Sequence, residues 1–159
     1  MKLNITAIQN LVTALDQIKP ADLPTTADVR KNLGAIKQLR KTIEKQVEEF
    51  DKIQRESTEI TKPFLDRMAK VNPKKLQKEK ITDEKQLAEV EKIETEGNKA
   101  LEDVNKRLNE LIEKNNEIEV EIEMDENYKA FIKTNFEERI RPMYANAEAL
   151  IEVADAFNV

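Results

Sequence analysis

Apolar residues recur at alternating intervals of three and four along two long stretches of this chain. Val29, Leu33, Ile36, Arg40, Ile43, Val47 and Phe50 form the first seam. Leu87, Val90, Glu94, Gly97, Leu101, Val104, Leu108 and Leu111 form the second. On a helix this spacing lays a narrow stripe along one face, and a narrow stripe packs best on another helix. The seams predict a mainly α fold: a long, coiled-coil-like antiparallel helical hairpin over residues 25–116. A small helical base and one short acidic β-strand complete it, in a single domain spanning 1–159.

The segments around the seams fit this plan. Ile5, Ile8, Leu11, Val12, Leu15 and Ile18 have helical spacing, with Asn4 or Thr6 placed to cap. Pro20 and Pro24 end that short helix and turn the chain within residues 1–24. The second helix is expected to start near Thr25–Asp28 and fade around Gln54–Ser57. Pro63 should kink it or force a new start. Phe64, Leu65, Met68 and Val71 then make a short amphipathic stretch, which Pro73 should end. Residues 72–82 read as the hairpin tip, and Thr82 or Asp83 as the start of a third helix running to about Lys114. Folding the hairpin about residue 73 would place Phe50 near Gly97.

Past Asn115-Asn116 the period changes from 3.6 to 2. Glu117-Ile118-Glu119-Val120-Glu121-Ile122-Glu123 alternates strictly, so a strand over 117–123 would share Ile118, Val120 and Ile122 on one face. Its pairing partner is either Met1-Lys2-Leu3 or a second copy of the chain. Asp125 can cap the last helical region, 125–159, which holds five of the seven aromatic residues. The densest packing is expected there.

Composition narrows the chemistry. The chain has no Cys and no His. Thiolate nucleophiles, disulfides and the commonest general base and metal ligand are therefore unavailable. Nothing in the sequence gathers a nucleophile, base and orienting group, so no enzyme activity, no cofactor and no metal are expected. No stretch approaches the roughly 20 apolar residues needed to cross a bilayer, and Met1–Ile18 is too polar for a signal peptide. A net charge of −5 argues against whole-surface nucleic-acid binding.

Three features are candidates for interaction. Lys70, Lys74, Lys75, Lys78 and Lys80 make the tip basic; a solvated loop is the plainer explanation, since no aromatic residue interleaves for base stacking. Ile118, Val120 and Ile122 offer a strand face, with Glu117, Glu119, Glu121 and Glu123 opposite as a solvated acidic face that discourages edge pairing. Arg40 and Glu94 interrupt the seams, as a register-setting polar pair or as a contact reserved for a third helix; the plainer explanation is that Arg40 reaches past a loosely packed position to water.

Taken in order, Leu23-Pro24, Arg30-Lys31-Asn32-Leu33, Leu108-Asn109-Glu110-Leu111-Ile112 and the Glu-Val-Glu-Ile run at 119–122 resemble a family of small, uncharacterised helical proteins encoded by tailed bacteriophages. The stretch from Tyr128 onward departs from that pattern. The resemblance implies a phage origin, a helical fold, and a place in the virion or host cytoplasm. It supplies no catalytic residues.

Together these features lead to the expectation of a non-enzymatic phage structural or assembly protein that acts through helix-mediated protein–protein contact, as a homo-oligomer or with another phage or host protein. The alternatives are an acidic inhibitor of a host factor and an assembly chaperone. Two chains exchanging helices through 57–82 would satisfy the same seams.

Overall fold

Side-chain caps set most of the helix starts. Asn4 accepts a hydrogen bond from Ala7 N at 2.7 Å and opens α1 (Ile5–Gln17). Thr25 accepts from Asp28 N at 3.1 Å and opens α2 (Thr26–Thr42). Asp83 accepts from Gln86 N at 2.9 Å at the start of α4 (Glu84–Glu117). Asp125 accepts from Asn127 N at 2.8 Å before α5 (Glu126–Asn135), and Asn146 caps α6 (Ala147–Phe157). Each such cap satisfies an amide that the helix itself leaves unpaired. The computed structural model describes all 159 residues. Its fold is mainly α: six α-helices and a two-stranded antiparallel sheet.

The sheet pairs β1 (Lys2–Asn4) with β2 (Glu119–Glu121), in the register Lys2↔Glu121, Leu3↔Val120, Asn4↔Glu119. The amino-terminal segment, one of the two partners the sequence allowed, thus fills the strand's pairing position. The strand is shorter than 117–123. Ile122 is buried and Val120 packs against the core, but Ile118 lies outside the strand and is 39% exposed. The shared three-residue face expected from the alternation is therefore incomplete. The helix α4 runs through Asn115-Asn116 to Glu117, so the chain reaches extended geometry only after Ile118.

The chain forms two compact units, residues 1–47 with 113–159, and residues 48–112. In the first, α1 buries Ile5, Ala7, Ile8, Leu11, Val12, Ala14 and Leu15. That face is wider than a seam because α1 meets α2, α6 and β1 together. Phe131, Phe136 and Phe157 from the carboxy-terminal stretch join this core. Each such side chain contributes roughly 1.5–3 kcal/mol when fully buried. A π-helical turn, Phe136–Ile140, follows α5. There Asn135 donates to Phe131 O at 2.8 Å and accepts from Arg139 at 2.9 Å, and Arg139 also donates to Asp22 O at 3.0 Å.

The first seam is corrected in two ways. The helix breaks at Ile43 (φ −111°, ψ 12°), so α2 and α3 (Glu44–Val71) are separate helices. The face α2 buries is Asn32, Ala35, Ile36 and Leu39, while Leu33 is 61% exposed and Arg40 is exposed. Two stripes overlap on this helix at equivalent spacing, and the one carrying Ala35 and Leu39 packs between α1 and α5. Of the expected seam, Leu33 and Arg40 are left outside, while Ile36 and Ile43 are buried and Val29 and Val47 pack against the core.

Pro63 neither ends nor restarts a helix, as α3 continues through it to Val71. Pro63 and Glu59 are both exposed. The Glu59 carbonyl, which loses its usual amide donor to the proline, can therefore be satisfied by water.

Candidate functional site at the hairpin tip

The unit formed by residues 48–112 is an antiparallel helical hairpin closed by a basic loop. The α3 stripe is Phe50, Ile53, Ile60, Phe64, Met68 and Val71, all half-buried. Opposite it, α4 buries Val90, Ile93, Gly97, Val104 and Leu111, with Leu87, Leu101 and Leu108 half-buried. The second seam thus holds, with Ile93 added. The α3 half was hidden in the sequence because Ser57 occupies one stripe position and Pro63 suggests an ending.

Flanking ion pairs mark the register. Arg107 meets Glu56 at 2.6 Å and Arg67 meets Glu96 at 2.7 Å. The Arg67 guanidinium also stands 5.8 Å from the Phe64 ring centroid, within cation–π range. The residue facing Gly97 is Phe64: a Cβ built on Gly97 would lie 3.4 Å from Phe64 Cγ. Phe50 is not its neighbour, because the turn falls over residues 72–83 and not at residue 73.

The tip itself is a tied loop. Asn72 is 7% exposed. Its amide donates to Leu76 O at 2.9 Å and accepts from Leu76 N at 3.1 Å, so one side chain satisfies both backbone groups of Leu76. Gln86 donates to Val71 O at 3.0 Å and closes the end of α3. Ile81 is buried at the far side of the loop. Between these anchors Lys75 has φ 52°, a left-handed conformation that costs a non-glycine residue about 1 kcal/mol.

The five lysines do not act alike. Lys78 pairs with Glu94. The hydrogen bond to Glu94 holds its ammonium above the ordinary lysine value despite partial desolvation, with Glu91 and Glu79 adding to the pull. Lys70, Lys74, Lys75 and Lys80 are exposed and form no ion pair. Beside them Leu76 is 37% exposed. Asn72 and Leu76 were not singled out from the sequence, although Asn-Pro at 72–73 is a turn signal.

The remaining predicted positions separate. Arg40 pairs with Asp16 and Glu94 with Lys78, so the two seam interruptions are not partners of each other. Both pairs are exposed and worth little to stability. On the acidic strand, Glu121 accepts from the amino terminus at 2.7 Å, which holds its carboxyl below the usual glutamate range. Glu117, Glu119 and Glu123 are exposed and free of ion pairs. No three acidic side chains converge as a metal site. A shallow hollow along α3 is lined by Asp51, Gln54, Arg55, Thr58 and Glu59, all on one open helix surface. No helix is long and apolar enough to cross a membrane.

Comparison with protein-family models, with curated proteins and with solved structures finds no match to this chain.

Proposed function

We propose that this chain is a non-enzymatic protein that works by protein–protein contact through its helical surfaces. The hairpin of residues 48–112 carries the proposal. A two-helix arm buries one stripe per helix and gives the rest of its surface to charged side chains, ending in a loop tied by Asn72 that leaves lysines and Leu76 outside. Such an arm presents surface; it encloses little.

The resemblance to tailed-phage proteins gives the setting: a structural or assembly component of a phage. Quantitative proteomics of purified virions from the phage that encodes the chain tests this. Many copies per particle are expected. Absence from virions, with a host protein captured in stoichiometric amount, would replace this role with that of a host-factor inhibitor. Transient association with one phage protein during assembly would make the chain a chaperone.

A further inference from the structure

Two exposed patches on this chain are complementary in both charge and apolar content. At the tip, Leu76 is 37% exposed and is surrounded in sequence by Lys74, Lys75 and Lys80, none of which has an ionic partner. Glu79 is the one acid in that loop. At the junction of α4 and β2, Ile118 is 39% exposed and stands between Glu117 and Glu119, whose carboxylates are exposed and unpaired. Lys114, one helical turn earlier, is the nearest base in sequence. Each patch thus sets one exposed aliphatic side chain close in sequence to unpaired charges, Lys74 and Lys75 before Leu76 and Glu117 and Glu119 on either side of Ile118, and the two signs are opposite.

Both patches are held in place. Asn72 ties Leu76 through both of its backbone groups, and Lys75 is kept in a left-handed conformation. Ile118 N donates to Lys114 O at 3.0 Å, and the next residue enters the β1–β2 ladder. Ordering that precedes association need not be lost on binding, which favours a specific contact.

Resting on the interaction role proposed above, we infer that the hairpin tip of one copy docks on the Glu117–Glu119 junction of a second copy, with Leu76 against Ile118 and Lys74, Lys75 and Lys80 facing Glu117 and Glu119. The occupant is protein and not nucleic acid. No aromatic residue lies near the tip for base stacking, and an exposed Leu among lysines matches an acidic surface with an apolar centre better than a phosphate backbone. Made reciprocally, the contact gives an isologous dimer; made in one direction, it is heterologous and gives a ring or an extending chain of subunits.

A charge swap tests the contact in the full-length protein, with circular dichroism to verify folding. Wild type is expected to self-associate with concentration in light scattering, more weakly as salt rises from about 50 to 500 mM. Lys74→Glu with Lys75→Glu should weaken self-association at least tenfold, and so should Glu117→Lys with Glu119→Lys. Mixing the two variants should restore association between them. Leu76→Ser and Ile118→Ser should each weaken it without altering its salt dependence. A wild type that stays monomeric at low salt, association indifferent to either reversal, or variants that fail to associate when mixed would overturn the docking. So would salt-sensitive binding of duplex DNA or RNA by a monomer that the tip reversal abolishes. A monomer found in many copies on virions would remove the self-contact and leave the broader interaction role standing.

Discussion

Tyr128 occupies the space where a side chain on Gly34 would be. A Cβ built on Gly34 would lie 2.4 Å from Tyr128 Cζ and 2.5 Å from its hydroxyl oxygen, closer than packed atoms come. The missing side chain in α2 is what lets the α5 tyrosine come this close to it. Gly34→Ala should therefore destabilise the protein by about 1–3 kcal/mol, although alanine is the better helix former by about 1 kcal/mol. In a Tyr128→Ala background the same substitution should become stabilising. Urea denaturation of the four proteins in the cycle checks this; a Gly34→Ala effect of unchanged sign in both backgrounds would rule out the contact as its cause.

The second glycine has a softer neighbour. At 3.4 Å from Phe64 Cγ, a methyl group on Gly97 meets ordinary contact, so Gly97→Ala should be neutral or stabilising by up to about 1 kcal/mol. Gly97→Leu should cost about 1–3 kcal/mol through overpacking. Phe64→Leu should recover part of that loss and Phe50→Leu none of it. Rescue by Phe50→Leu instead would mean that the helices pair in a different register.

The Tyr144 hydroxyl is buried without a hydrogen-bond partner, and burial pushes its ionisation well above the ordinary phenol range. A group whose proton is held more tightly in the fold contributes stability that is complete below its unfolded pKa, near 10, and is lost as pH rises beyond it. Tyr144→Phe should stabilise by about 1 kcal/mol at neutral pH, since an unsatisfied buried hydroxyl is removed. Its advantage should widen above about pH 10. Thermal melts of both proteins across that range provide the measurement, and a destabilised variant at neutral pH would show that the hydroxyl has a partner.

Asn72 supports the tip through a single side chain. Asn72→Ala should cost about 1–2 kcal/mol, because it leaves both Leu76 backbone groups without their partners. The same variant should be cut faster by trypsin after Lys74 and Lys75, which the tied loop otherwise restrains. Cleavage at the wild-type rate would mean that the loop is already open without the clamp.

How legible each element was in the sequence depended on how many surfaces it touches. The α4 stripe could be read directly, from Val90 through Leu111, because a helix facing one partner buries one stripe. The α2 stripe could not: Leu33 and Leu39 lie on overlapping stripes of equal spacing, and only packing between α1 and α5 decides that Leu39 is buried and Leu33 is not. Pro63 misled for a related reason, since its solvent-facing position, and not its identity, lets α3 continue. At the tip the lysines were visible as a charge run. The features that give the loop a shape, the Asn72 clamp and the left-handed Lys75, depend on contacts four residues apart and on a backbone angle, and neither leaves a periodic trace.

The division of the chain bears on how it folds. Residues 1–47 and 113–159 build one unit from two segments separated by the whole of Glu48–Ile112. Before it folds, that intervening stretch is a long flexible loop, and closing it opposes bringing the two segments together. The hairpin's own contacts are local by comparison: Arg67 with Glu96, Glu56 with Arg107, Phe64 with Gly97. Once they form, the chain ends that leave the hairpin are already neighbours, and the entropic cost of joining the distant halves has largely been met. The arm is thus expected to act as the folding clasp of the unit it interrupts, with substitutions in its seam slowing the formation of that unit's core.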